Sequence, residues 1–310
     1  MGRFVLQRLI RSIITLWVVV TVVFVVLNLS GNLAATMLGP DASPEAVAAF
    51  RAENGLDDPL PVRYARYLGQ LAQGDFGDSL QNGRPAMEEL TSRVGATLEL
   101  GGAAVLIAIL IGIPAGVLAA LRRNSVWDRG TMLLAFVGQS APNFFVGIML
   151  ILLLSLQLNW LPSSGRGDWQ QLIMPAVTLA TGLLAALARM SRSSMLEVMS
   201  SDFVRTARAK GLSERRVVVG HLLRNAGIPV VTIIGLSIGG LIGGAAITET
   251  VFAWPGVGRL MVEAISMRDY PVVLLIVMAV ATTVILLNLI VDITYRLLDP
   301  RIHATGGTAR

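Results

Sequence analysis

Polar and apolar positions in this chain are segregated into long blocks, not mixed. Charge is absent from six stretches, Ser12–Pro40, Leu100–Leu121, Gly130–Gly165, Trp169–Ala188, Asn225–Thr248 and Tyr270–Val291. A helix needs about 20 apolar residues to cross a hydrocarbon layer of roughly 30 Å. Within these stretches the pattern predicts helices near 10–29, 98–121, 131–156, 172–190, 227–250 and 272–295. A charge at mid-membrane costs about 2.5–3.5 kcal/mol on insertion scales, which is a physical reason for the gaps. The expected fold class is all-α, a polytopic membrane protein with six transmembrane helices.

The segments between the blocks carry shorter signals. Ser43-Pro44-Glu45 supplies an N-cap, a proline for the first helical position and an early acid, and Gly55 marks a stop. Pro61 through Ala72 reads as a second short helix, with Tyr64, Tyr67, Leu68 and Leu71 on one stripe and Gly74 after it. Segment 189–224 is too polar for the membrane and reads as helix, break at Gly211, cap at Ser213 and helix again. Pro114 and Pro142 remove backbone donors within the second and third spans and predict kinks there. The implied organisation is a first segment and span over 1–30, an outer loop with short helices over 31–97, five further helices over 98–300 with a polar loop at about 191–224, and a tail over 301–310.

Composition strengthens the membrane reading. Hydrophobic residues make up 54% of the chain and charged residues 15%, with a mean hydropathy of +0.68. Soluble domains carry roughly a quarter charged residues. The net charge of +5 does not indicate nucleic acid, because the bases are sorted by segment. Segments 1–12, 122–130, 189–224 and 296–310 hold 17 of the 25 Lys and Arg; 31–97, 157–171 and 251–271 hold the other 8. The basic set marks the cytoplasmic side, giving an N-in, C-in topology. Nine acids against five bases between Asp41 and Arg93 suit an extracytoplasmic loop. Arg3, Arg8 and Arg11 before an apolar run also describe a signal peptide, but the run Ile13–Leu29 exceeds the usual core of about 7–15 residues, so an uncleaved anchor is expected.

Candidate chemistry is sparse. The absence of cysteine removes thiolate catalysis and disulfides. His221 and His303 are far apart and lack ligand-spaced partners, so no metal or hydrolytic constellation is visible. The one lysine, Lys210, follows Ala209, so no G-K-[ST] phosphate loop exists and no cofactor is expected on this chain. Glu99 and Glu249 fall near span ends, and Asp292 near another with Arg296 four residues on. A secondary carrier coupled to protons would place ionisable groups at mid-depth. Gly235, Gly239 and Gly243 recur every four residues in the fifth span, as do Gly240 and Gly244, which marks faces for close helix packing or sliding at a pore.

The polar loop contains Asp202-Phe203-Val204-Arg205-Thr206-Ala207-Arg208-Ala209-Lys210-Gly211-Leu212. This run resembles the cytoplasmic coupling motif of ABC importer permeases, and more narrowly that of the B-type permease of dipeptide and oligopeptide importers. The likeness extends along the chain: Gly55-Leu56-Asp57-Asp58-Pro59-Leu60 and Gly74-Asp75-Phe76-Gly77-Asp78-Ser79 in the outer loop, Glu249 through Arg259 after the fifth span, Arg268-Asp269-Tyr270-Pro271, and the tail Asp299-Pro300-Arg301. It departs at Arg205, where the broad motif has Glu, and at Leu223-Arg224, where it has Leu-Pro. The resemblance implies the type I importer permease fold in a prokaryotic cytoplasmic membrane. It also implies a sister C-type permease, two cytoplasmic ATPase domains that hold ATP and Mg, and an extracytoplasmic peptide-binding protein. Phe203, Arg205, Thr206, Ala207, Arg208, Ala209, Gly211 and Leu212 would then meet an ATPase domain. The outer segments, with Tyr64, Tyr67, Phe252 and Trp254, would receive the binding protein. Import of a small non-peptide solute (a metal chelate, glutathione or a glycoside) and a secondary ion-coupled carrier are the alternatives.

Overall fold

The computed structural model describes residues 2–29, 38, 42–53 and 55–298. These residues form helices α1 (Gly2–Leu29), α2 (Pro44–Glu53) and α3 (Leu60–Ala72), then α4, which starts at Ala86 and runs through a π-turn at Ala108–Gly112 to Leu121. They continue as α5 (Val126–Ser140), α6 (Asn143–Leu150, extended by a π-turn to Gln157), α7 (Trp169–Met199) and α8 (Asp202–Ala209). Next, α9 (Glu214–Val217) passes through a π-turn at Val218–Leu222 into α10 (Leu223–Val251), followed by α11 (Val257–Ser266) and α12 (Tyr270–Leu298). Among the described residues the only bridge outside helices pairs Asp78 with Pro85.

Four helices are long and apolar enough to cross a membrane: Ile10–Leu29, Ala86–Leu121, Trp169–Met199 and Tyr270–Leu289. Two bent pairs raise the count to as many as six, Val126–Ser140 with Asn143–Gln157 and Glu214–Gly227 with Pro229–Gly235. The expected third span is not one rod with a kink, because α5 and α6 meet at 107°. Pro142 disfavours helical geometry in the residue before it, and Ala141 is extended at φ −76°, ψ 127°. The second span begins at Ala86, not near 98, and α7 runs to Met199, not 190. At ~1.5 Å per residue the 36 residues of α4 extend ~54 Å, well beyond the hydrocarbon layer. Leu106, Leu110, Leu133, Leu134, Phe136 and Leu156 are exposed, as lipid-facing positions are.

The chain divides into two compact units, Met1–Ala96 with Gly256–Leu286, and Thr97–Pro255 with Leu287–Arg310. The expected outer loop thus belongs with α11 and the first part of α12. In that first unit Ala86, Leu90, Leu260, Ala264, Val272 and Ile276 make the core, with Val23, Leu27 and Phe76 packed on it. The buried Asp269 ties the 79–80 turn to the start of α12: its carboxylate accepts from Ser79 Oγ at 2.5 Å and from the Leu80 N–H at 3.2 Å.

In the second unit α7 is the central rod, packed against α4, α5, α6 and α10. It approaches α4 closely. A Cβ at Gly112 would lie 2.8 Å from the Leu184 carbonyl oxygen, and one at Gly116 would overlap the Ala188 carbonyl oxygen. Backbones meet this closely in lipid where side chains are absent, since van der Waals contact drives helix association there. Directly after the π-turn stands Pro114, whose missing N–H falls where the hydrogen-bond ladder has already shifted register. At the neighbouring end, Asp128 is 3% exposed and clamped by Arg192, Nε at 2.5 Å and Nη2 at 2.9 Å. It also accepts from the Asn124 N–H at 2.9 Å, while its own N–H donates to the Ser125 N-cap. The start of α5 is thereby fixed to α7.

Candidate functional site

The loop between α7 and α10 is built as a rigid platform. At the end of α7 the Ser200 and Ser201 hydroxyls donate to the carbonyls of Glu197 and Val198 at 2.7 and 2.6 Å. Ser201, extended at φ −75°, ψ 150°, is the N-cap of α8. Asp202 in the first turn and Arg208 in the last both complement the helix dipole.

Gly211 closes α8 with φ +79°. The Gly211 N–H donates to the Arg208 carbonyl at 2.9 Å and the Leu212 N–H to the Ala207 carbonyl at 3.3 Å. Those two bonds define a Schellman motif with glycine at the left-handed position. A Cβ at Gly211 would meet nothing within 4 Å, so conformation, not space, demands glycine here. Across the turn Arg208 grips Glu214, with Nε at 2.7 Å and Nη2 at 3.3 Å. Both side chains are largely exposed, which limits that pair to a modest contribution.

The platform has two faces. Val204 is fully buried and Ala207 is 8% exposed; both pack with Ala120, Met195, Val217, Leu222 and Ala226, and Leu212 lies against the same cluster. Ala207 thus packs beneath the loop on its own chain, and Leu212, half-buried, lies at the edge of the same cluster. The outward face carries Phe203, 43% exposed, with Arg205, Thr206, Arg208, Ala209, Lys210 and Gly211 around it. Arg205 reaches Asp202 only at 3.7 Å in an open ion pair. An exposed phenylalanine on an otherwise polar, rigid helix is the feature a groove on a partner would take.

Of the four aromatic residues expected to face a binding protein, Tyr64 and Tyr67 are half-buried against α1, and Phe252 and Trp254 are buried. Tyr67 stacks on Phe24 of α1 at 5.3 Å and Tyr64 meets the same ring at 5.2 Å, while the Tyr64 hydroxyl lies 2.5 Å from Thr21 Oγ1. The tyrosine stripe thus docks α3 on α1, and burial pushes the Tyr67 phenol up to about 12. Phe252 and Trp254 are each 1% exposed. The Phe252 ring closes on Gly147 of α6, and the Arg166 guanidinium stands 5.9 Å from the Trp254 ring centre. Arg166 is itself held by Glu99 at 2.7 Å. Glu249 is fully buried and accepts from Thr97 Oγ1 at 2.8 Å.

Of the glycines expected to line a helix face, Gly235 and Gly244 lie within α10, and a Cβ at Gly244 would make ordinary contact at 3.6 Å with Asn143 and Leu179. The surroundings of Gly239, Gly240 and Gly243 fall outside the described residues, as does the tail motif Asp299-Pro300-Arg301. The tight glycine interface, Gly112 and Gly116 on α4, was missed by sequence reasoning, although their four-residue spacing was a usable signal. Among the described residues no group of His, Asp and Glu is arranged to hold a metal.

Long apolar helices with a polar loop joining two of them define a multi-pass membrane protein. Residues 112–304 match the model for the binding-protein-dependent transport system inner membrane component, and residues 1–101 match the model for the N-terminal part of such membrane components. The chain belongs to this family: it is an inner-membrane permease subunit of an ABC importer, a transport component and not an enzyme. It is 44% identical to the glutathione transport system permease protein GsiC of Salmonella paratyphi A over 98% of this chain and 99% of the relative. The corresponding protein of Escherichia coli K12 is 42% identical over the same shares. An inward-facing MetNI methionine ABC transporter shares the fold, with a TM-score of 0.58 and 22% identity over 69% of this chain and 98% of that one. So does an amino acid ABC transporter solved with histidines, with a TM-score of 0.53 and 15% identity over 68% and 94%. Such a permease works with ATPase subunits and a binding protein.

Proposed function

We propose that this chain and a sister permease of the C type form the path by which a short peptide, glutathione first among the candidates, enters the cytoplasm. Identity of 44% across 98% of the chain to a permease named for glutathione transport is the observation that carries this reading, because it spans the outer segments and the polar loop together. Glutathione, set among the alternatives to a peptide on sequence alone, is chemically a γ-linked tripeptide, so the peptide-importer resemblance of the loop is compatible with it. In this reading a peptide-binding protein delivers the solute, and two ATPase domains hold ATP and Mg. The outward face of α8, with Phe203 at its centre, docks in a groove of one ATPase domain and passes its closure to α7 and α10.

Uptake of tritiated glutathione by cells that lack their own glutathione importer tests the substrate. Expression of the complete gene cluster should confer saturable uptake that depends on the binding protein and on ATP. Competition by trialanine distinguishes a broad peptide importer from a glutathione-selective one. Import of a metal chelate or a glycoside with no uptake of either peptide would remove the reading.

The proposed topology places both termini and residues 189–224 in the cytoplasm and residues 31–95 outside, following the 17-to-8 division of basic residues. A chain without native cysteine makes the test direct. An impermeant maleimide added to intact cells should label Gly69→Cys, an exposed position with open space around it, and leave Ser200→Cys unlabelled until the membrane is opened. Labelling of Ser200→Cys from outside would reverse the orientation.

A further inference from the structure

The first unit contains a pocket of about 370 Å³ between α1, α3, the 75–80 turn and the start of α12. Its size is in the range of small-ligand sites, roughly 300–1,000 Å³. The lining is unusual in what it leaves unmatched. The Tyr270 hydroxyl, on a residue only 8% exposed, is buried without a hydrogen-bond partner among the described residues. The same holds for Asn28 Oδ1, whose amide nitrogen is engaged by the Phe24 carbonyl at 2.7 Å. Natural proteins rarely leave buried polar atoms unsatisfied, so two around one cavity mark a place for an ordered water or a ligand.

Charge gives the ligand its chemistry. Arg66 is committed to Asp58 at 2.6 Å. Arg63, half-buried beside it, forms no ion pair among the described residues; burial lowers its basicity, Arg51 and Arg66 add to that, and Tyr270 and Asp58 act to raise it. A guanidinium and a phenol hydroxyl facing one cavity are two donors suited to a carboxylate. Asn28 Oδ1 and the exposed Asp78, which also lines the pocket, supply acceptors that suit an ammonium group. The mixed set fits a small zwitterion better than a phosphate dianion, which Asp78 would repel.

We propose that this pocket binds a small zwitterionic solute, with Arg63 and the Tyr270 hydroxyl donating to its carboxylate. The inference builds on the peptide-import reading and adds a holding site on the permease itself, on the side that receives the solute. It assigns Tyr270 to the ligand and not to the fold.

Equilibrium dialysis of the purified importer, with its ATPase subunits and sister permease but without the binding protein, against tritiated glutathione provides the test. The wild type should bind saturably, and free glutathione should compete where its methyl diester does not. Arg63→Gln and Tyr270→Phe should each weaken binding at least about tenfold, roughly one lost charge-assisted or buried hydrogen bond. Tyr270→Phe should also leave the melting temperature unchanged or raised, since it deletes an unpartnered buried hydroxyl, which a structural role for that hydroxyl would not allow. Equal binding by wild type and both variants overturns the proposal. So does wild-type uptake of glutathione with no saturable binding in dialysis, a result that leaves the import reading intact. Loss of a co-purified phosphatidylethanolamine in Arg63→Gln, with no solute bound by either protein, would give the pocket to lipid. Absence of both uptake and binding for glutathione and trialanine would remove the import reading together with the site.

Discussion

Gly116→Leu is expected to prevent recovery of a folded permease. The added side chain has nowhere to go: its Cβ would overlap the Ala188 carbonyl oxygen and lie 2.8 Å from Ser191 Cβ. Backbone atoms of α7 cannot swing aside as a flexible side chain does, so α4 and α7 must separate. Overpacking typically costs about 1–3 kcal/mol, and a leucine set against main chain belongs at or above the top of that range. Gly102→Leu, exposed on the same helix with open space around it, should be neutral or slightly stabilising because glycine is about 1 kcal/mol worse than alanine in a helix. Melting temperature and gel-filtration recovery of the two variants provide the comparison. Equal recovery would show that the α4–α7 contact is looser than the structure has it.

Gly211→Val is expected to uncouple transport without blocking membrane insertion. The left-handed conformation costs an ordinary residue about 1–2 kcal/mol, and a β-branched one more. That penalty falls on the Schellman bonds from Gly211 and Leu212 that hold the end of α8. A state disfavoured by about 1.4 kcal/mol is populated roughly tenfold less, so uptake should fall by about that factor or more. ATP hydrolysis should stop responding to the loaded binding protein. Gly211→Asn, which tolerates positive φ, should retain most coupling. Wild-type uptake and stimulated hydrolysis in Gly211→Val would leave the loop as a solvated connection. Ala207→Asp is a poorer probe, because Ala207 sits in the cluster beneath the loop and the charge would unseat α8 whatever its outer face does.

These two glycines also show where sequence was readable. Gly211 stands before Leu212 and the Ser213 cap, and the local signal alone marks a helix end. Gly55 and Gly74 close α2 and α3 with the same pair of backbone bonds. Yet α10 and α11 end in that same geometry with Ala253 at φ +49° and Arg268 at φ +53°. Neither residue type advertises a left-handed position, so these ends are imposed by what surrounds them. The long apolar blocks placed α1 and α12 well because lipid burial is written into composition itself, whereas α7 runs on past its apolar block to Met199. The break at Ala141 was underestimated because a proline signals a disturbance without its size. The partners of the aromatics were not legible for a different reason: Tyr64, Tyr67, Phe252 and Trp254 pack on residues far away in sequence, and a stripe on one helix does not say whether solvent, a partner or another helix covers it. Gly112 and Gly116 carried the same spacing as the glycines of α10, but a repeated motif is more visible than a single pair.

The cluster under α8 has a mechanical meaning. Ala120 comes from the end of α4, Met195 from α7 and Ala226 from the start of α10. Three rods thus end on one small plate, and a load applied at Phe203 is shared among them at once. Under the coupling role proposed above, the plate can tilt with each rod pivoting about its own seat in the cluster. In that role the stiffness of the plate sets how much of a stroke reaches the far end of the bundle.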